Sequence, residues 1–198
     1  MLTLVIQAGG QSSRMGQDKA LMDFLGRPLI ERVLERVSSI ADEVVIVTNR
    51  PEGYRYLNIP LFPDVIPERG ALGGLYTALK VATHPEVALV ACDMPFASVE
   101  ILSAAREILK QENCDAVIPK TEHGFEPLHA VYRRDTCLSA VKAAVDADKW
   151  RMISWHQDAE VCYLPPEKMA RLDFRDYTFM NLNTPEEFKK AEKLAQQQ

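Results

Sequence analysis

The sequence predicts an α/β protein with a mostly parallel central sheet and helices on both faces. Three observations predict it. Strand-length apolar runs alternate with amphipathic stretches of helical length, the pattern of successive βαβ units. The runs at 2–6 and 44–47 are apolar enough to be buried strands, as strands covered on both faces are. A chain of 198 residues, 47% hydrophobic and 26% charged, has the size and composition of an ordinary globular protein with a substantial core. Residues 1–198 are therefore expected to form a single domain.

The first strand, 2–6, empties into Gly9 and Gly10. Beyond that loop, Gly26-Arg27-Pro28 opens a helix whose buried face is Leu29, Ile30, Val33, Leu34 and Val37. A second strand covers 44–47, and a short extended segment follows at 59–62. Gly73 and Gly74 lead into a helix over 75–81, and 87–92 reads as a third central strand. Ser98 caps the next helix, with Ile101, Leu102, Ala105, Ile108 and Leu109 on one face. A strand at 116–118 and an apolar run at 127–132 precede a helix over 135–145. Thr184, Pro185 and Glu187 stand at N-cap, N1 and N3 of the last helix, the capping-box pattern. The 196–198 glutamines read as a frayed end. No repeat, low-complexity tract or linker interrupts the series.

A net charge of −5 argues against a nucleic-acid surface while leaving room for a local cationic pocket. No apolar run approaches bilayer length, so no membrane role is expected and the cytoplasm is the expected location. Cys92, Cys114, Cys137 and Cys162 are widely spread with no C-x-x-C pair. That spacing fits neither a zinc site nor a disulfide framework, and Cys92 and Cys162, in apolar strand-like runs, are expected as buried reduced thiols.

The chemistry concentrates in residues 5–19, where a buried strand runs through Gln7 and Ala8 into Gly9, Gly10, Arg14, Gly16 and Lys19. Paired glycines let the backbone turn and bring N–H groups close to an anion. Arg14 and Lys19 then add two cations at the reach of a polyphosphate. A Walker A loop would need Lys directly after its last glycine, but Lys19 stands three past Gly16 and precedes Ala20. A dinucleotide fingerprint would need G-x-G-x-x-G, which these glycines do not follow, and the second strand ends on Asn49 rather than a ribose-binding acid. Asp93 emerges at the carboxyl end of the third strand, where parallel sheets collect ligands. Its carboxylate suits Mg²⁺, and on spacing alone it serves equally as a turn residue. Asp64, Glu126 and His129 are, on spacing alone, turn or strand residues, while Asn181 and Asn183 serve equally as turn residues or as pocket lining.

The segments Ala8-Gly9-Gly10, Arg14-Met15-Gly16 and Asp18-Lys19 resemble the signature of molybdenum cofactor guanylyltransferases of the MobA type, within the small nucleotidyltransferases. Phe62-Pro63-Asp64, Gly70-Ala71-Leu72-Gly73-Gly74-Leu75, Cys92-Asp93-Met94-Pro95 and the run from Asn181 to Glu187 fit the same family in order, over nearly the whole chain. The resemblance implies a Rossmann-like nucleotidyltransferase fold. Its implied catalytic residues are Arg14, Lys19 and Asp93, with Asp93 holding Mg²⁺. Its implied nucleotide contacts are Gln7, Ala8, Gly9, Gly10, Lys19, Asp64 and Asp93. Glu126, His129, Asn181 and Asn183 fall on the pterin side. The chain departs from the family at Gln7, Ala71 and Gly74, where Leu, Pro and Ala are usual.

The expected activity is transfer of GMP from GTP to the phosphate of molybdopterin-bound molybdenum, with release of pyrophosphate. Ala8-Gly9-Gly10, where cytidylyl-transferring relatives carry Ala-Ala-Gly, favours a purine by the same resemblance. The substrates are then GTP and molybdopterin, with transient contacts to proteins that deliver or accept the cofactor. The alternatives are a related enzyme using CTP or a sugar phosphate, and a nucleotide-binding regulator without catalysis.

Overall fold

The computed structural model describes residues 1–8, 18–172 and 174–197. Gly9, Gly10, Arg14 and Gly16 of the expected phosphate loop lie outside the described residues. The described residues form the strands β1 Leu2–Gln7, β2 Asp23–Phe24, β3 Arg27–Pro28, β4 Glu43–Val47, β5 Leu61–Phe62, β6 Glu86–Ala91, β7 Ala116–Thr121, β8 Gly124–Phe125, β9 His129–Arg133 and β10 Val161–Leu164. Among the same residues, the α-helices are α1 Leu29–Val37, α2 Gly70–Val81, α3 Val99–Gln111, α4 Arg134–Asp146, α5 Pro166–Met169 and α6 Pro185–Ala195.

The main sheet runs β10-β7-β9-β6-β1-β4-β5, with β8 paired to β7, while β2 and β3 form a separate ribbon. Pairings β1 to β4, β1 to β6, β4 to β5 and β10 to β7 are parallel. In the main sheet, β9, lying between β6 and β7, and the short β8 run antiparallel to their neighbours. The antiparallel turn has a simple origin. Between Thr121 and His129 the chain is too short for the crossover of a dozen or more residues that a parallel return requires. The expected α/β class with a mostly parallel sheet is the architecture observed.

Side-chain alternation along each strand divides the core. Leu2, Leu4 and Ile6 of β1 join Ile30, Val33, Ile101 and Leu102 of α1 and α3 on one face. Val5 joins Leu72, Leu75, Leu79, Val141 and Val145 of α2 and α4 on the other. Fully burying each such aliphatic side chain contributes about 1.5–3 kcal/mol before entropy is counted. A third cluster seats α6 through Phe188 and Ala191 against Phe24, Leu29, Phe96 and Leu182. Its capping box is formed as expected: the Thr184 hydroxyl accepts from Glu187 N–H at 3.2 Å, and the Glu187 carboxylate accepts from Thr184 N–H at 2.9 Å.

Two expectations need correction. Helix α2 starts at Gly70 rather than 75, so Gly73 and Gly74 lie inside it and are buried. Cys114 and Cys162 form a disulfide with Cα atoms 5.9 Å apart, rather than standing as reduced thiols. The pairing joins positions 48 apart in sequence, which become neighbours because β10 lies beside β7. No spacing rule reveals such a pair. Cys92 and Cys137 are free.

Candidate active site

Strands β1 and β6 are neighbours, and the chain leaves β1 towards β4 on one side and β6 towards β7 on the other. The carboxyl end of such a pair is the switch point at which open α/β sheets bind ligands. Gln7 and Ala8 sit there, each 8% exposed. The Ala8 N–H donates to the Val47 carbonyl at 2.8 Å, so this amide is already used within the sheet.

Lys19 and Asp93 come together at this edge. Lys19 begins a short 3₁₀ turn, Lys19–Leu21, and Asp93 lies two residues past the end of β6. The Lys19 ammonium stands 3.1 Å from Asp93 Oδ2, both side chains about one-fifth exposed. It also donates to Asn183 Oδ1 at 2.9 Å. The Leu182 N–H donates to the Asp93 carbonyl at 3.0 Å, which brings the 182–183 segment to that edge. Asn183, expected on the pterin side, thus shares a cation with Asp93.

The turn that carries Lys19 is braced from behind. Asp18 caps it by accepting from Ala20 N–H at 3.2 Å and accepts from the Tyr54 hydroxyl at 2.7 Å. Tyr54 is fully buried, and burial raises its pKa, so the hydroxyl stays protonated as a donor. Tyr54 escaped sequence reasoning because nothing in its neighbourhood marks it. Asp18, within the quoted loop motif, carries the only sequence signal for this brace.

Asp64 belongs to a separate cluster. Its Oδ2 accepts from Asn49 Nδ2 at 2.7 Å, and its backbone N–H donates to Asn49 Oδ1 at 2.9 Å. The loop then ties to α2, since Val65 N–H donates to the Thr77 hydroxyl at 3.0 Å.

A cavity of about 760 Å³ opens beyond β7 and α6, walled by Met169, Phe174, Phe179, Met180, Glu126 and Lys190 among others. Burial pushes the Glu126 carboxyl up to about 7, opposed by the nearby charge of His123. His129 does not present a polar group there. It is fully buried, its Nε2 accepts from Ser98 N–H at 3.0 Å, and burial lowers its pKa to about 4, so it is neutral. Its ring instead packs edge-on against Phe179, with centroids 5.3 Å apart. Asn181 is exposed, and its amide donates to the Phe179 carbonyl at 3.4 Å. The cavity wall at Phe179 and Met180 therefore runs directly into the 181–183 segment beside Lys19.

Among the described residues, no helix is long and apolar enough to cross a membrane. Residues 4–160 match the family model for the MobA-like NTP transferase domain. A probable molybdenum cofactor guanylyltransferase from Natranaerobius thermophilus is 33% identical, over 97% of this chain and 95% of the relative. The crystal structure of molybdopterin-guanine dinucleotide biosynthesis protein A from Archaeoglobus fulgidus superposes with a TM-score of 0.85 at 27% identity, covering 99% and 100% of the two chains. A 4-diphosphocytidyl-2C-methyl-D-erythritol synthase from Anaerococcus prevotii shares the fold, with a TM-score of 0.73 at 16% identity over 98% and 96% of the chains.

Proposed function

The chain belongs to the MobA-like NTP transferase family, and from that premise we propose that it is a molybdenum cofactor guanylyltransferase. It transfers GMP from GTP to the phosphate of molybdopterin-bound molybdenum and releases pyrophosphate. The observation that carries this reading is the Lys19 ammonium held between Asp93 and Asn183 at the switch point of the sheet.

The reaction forms a bond from a molybdopterin phosphate oxygen to the α-phosphorus of GTP. The bond from that phosphorus to the β-bridging oxygen breaks, and pyrophosphate leaves with the electron pair. An anionic nucleophile needs no strong general base. Positioning and charge compensation therefore supply most of the rate. Lys19 offsets the charge that builds on the phosphates, and the family motif assigns Arg14 to the same task. Asp93 suits Mg²⁺ by its donor chemistry, a partly exposed carboxylate that would hold such a hard ion. When bound there, the metal supplies neutralisation of the triphosphate. Ala8, Gly9, Gly10 and Asp64 belong to the nucleotide side of the site.

The cavity beyond Phe179 takes the pterin. Its volume and largely apolar wall suit a fused aromatic ring, and its path to Lys19 along 180–183 suits delivery of the attached phosphate. Nucleotide titration tests the assignment: GTP should bind and turn over with Mg²⁺ and molybdopterin, and CTP, ATP and UTP should fail.

Tyr54→Phe keeps the packing and removes only the donor to Asp18. Loosening of the turn under Lys19 should lower kcat about tenfold, ~1.4 kcal/mol of positioning, while KM for GTP changes little. A parallel loss in melting temperature with unchanged kcat would assign Tyr54 to stability alone.

Glu126 carries a pH signature. Its folded pKa of about 7 exceeds the ordinary carboxyl value of 4.5, so the native state holds its proton where the unfolded chain has lost it. Stability from this group should fall as pH rises from 4.5 to 7 and level off above. Glu126→Gln should remove that fall, so its advantage in melting temperature over the parent grows across the same window. A constant difference from pH 4 to 8 would place the carboxyl in ordinary solvent.

A further inference from the structure

Among the described residues, Glu112, Cys114 and Cys162 bring one carboxylate oxygen and two sulfurs within 4.8 Å of one another. Cys114 precedes β7, Cys162 lies in β10 at the edge of the main sheet, and Glu112 ends α3. Three elements therefore meet at one point, although 48 positions separate the two cysteines in sequence. The point is remote from the nucleotide edge. Strand β9 is antiparallel to both β6 and β7, so those two run the same way. Cys114 stands before the amino end of β7, whereas Asp93 follows the carboxyl end of β6.

The group has the donor set of a metal site once the sulfurs are free. Thiolates are soft donors that select Zn²⁺ over the hard Mg²⁺. Zinc takes tetrahedral ligands with Zn–S of about 2.3 Å, which sets two bound sulfurs about 3.8 Å apart. The Cα atoms of Cys114 and Cys162 are 5.9 Å apart, so parting the sulfurs that far takes side-chain rotation and leaves the strands in place. Cys114 is buried, Cys162 partly buried and Glu112 exposed, which closes the group on one side and opens it to water on the other. The surroundings balance the charge. Two thiolates and a carboxylate exceed a divalent ion by one negative charge, and the Lys168 ammonium stands 3.8 Å from Glu112 Oε1. Arg133 fixes the backbone behind the ligands, donating to the Cys114 carbonyl at 2.7 Å and the Leu109 carbonyl at 3.0 Å.

We propose that Glu112, Cys114 and Cys162 form a zinc site gated by the disulfide, holding one Zn²⁺ with water in the fourth position when reduced and none when oxidised. A dithiol opens the gate: the Cys114–Cys162 bond breaks, each sulfur takes a proton, and the dithiol is oxidised to its own disulfide. Zn²⁺ then displaces the two thiol protons into solvent. Bridge or ion, β10 stays fastened to β7, and with it α5, whose Met169 walls the cavity. The site stands independently of the guanylyltransferase reading.

The full chain, reduced with dithiothreitol and freed of it without air, is titrated with Co²⁺ and Zn²⁺ beside the oxidised chain. The reduced parent should bind one Co²⁺ with a thiolate-to-cobalt charge-transfer band, which Zn²⁺ bleaches and excess Mg²⁺ does not. Cys114→Ser and Cys162→Ser should lose most of the band. Even outer partners of metal ligands sustain affinity tenfold or more, so Glu112→Gln should weaken Zn²⁺ by at least about tenfold. Zn²⁺ at about a hundred times its Kd should raise the melting temperature of the reduced chain by about 5 °C or more and leave the oxidised chain unmoved. No band in the reduced parent, an equal band in the oxidised parent, or an undiminished band in either serine variant would overturn the site. Unchanged Zn²⁺ affinity in Glu112→Gln would overturn the three-ligand assignment. The comparison of oxidised with reduced parent needs no variant, so it decides the question even where a serine variant fails to fold.

Discussion

Lys19→Ala should abolish guanylyl transfer, with kcat reduced by ~10³ or more, while the protein remains folded. The two halves of this expectation have separate physical grounds. The ammonium is the described cation at the switch point, bonded to Asp93 at 3.1 Å and to Asn183 at 2.9 Å. Preorganised charge in a site that excludes water is worth far more to a transition state than the same charge in solvent. The same pair is partly exposed, and partly exposed ion pairs contribute at most about 1 kcal/mol to folding. The melting temperature should therefore move by no more than about 4 °C. Single-turnover transfer from GTP, read beside a thermal melt, separates these effects. Near-parental turnover would remove Lys19 from the reaction.

Asp93→Ala should cost on the order of a hundredfold or more in rate and change the response to Mg²⁺. Asp93 lies two residues past β6, and the Leu182 N–H holds its backbone carbonyl. The side chain is thus fixed at the strand end where a triphosphate and its ion would meet. Loss of the carboxylate also frees Lys19 from its ion pair, so the variant should keep or gain affinity for GTP without Mg²⁺ while losing turnover. Titrating Mg²⁺ at saturating GTP reads the first effect, and metal-free GTP binding reads the second. An unchanged Mg²⁺ dependence would make Asp93 a turn residue that happens to pair with Lys19.

The two departures from the family pattern at Gln7 and Gly74 form a single feature in three dimensions. In sequence they stand 67 positions apart (74 − 7) and read as unrelated substitutions. In the fold, the missing Cβ of one makes the space that the carboxamide of the other occupies. His129 shows the opposite outcome. The family resemblance puts it on the pterin side, whereas the register of β9 against β6 turns it inward beneath Phe179. A strand's side chains alternate between faces, so one residue of register decides whether a histidine meets ligand or core.

Patterns written in neighbouring residues determined much of this protein. The βαβ alternation, the faces of α1 and α3, the Ser98 and Thr184 caps, and the strand ends that carry Gln7 and Asp93 follow from hydrophobic period and local hydrogen bonding. These signals are short-range, and burial reinforces rather than opposes them. The antiparallel insertion of β9, the Cys114–Cys162 bridge, the Tyr54–Asp18 brace and the meeting of Lys19 with Asn183 were decided only by the tertiary structure. Each depends on strand order or on contacts between distant segments. Local energies do not encode such contacts, because the free energy that selects them is released only when both partners are buried together.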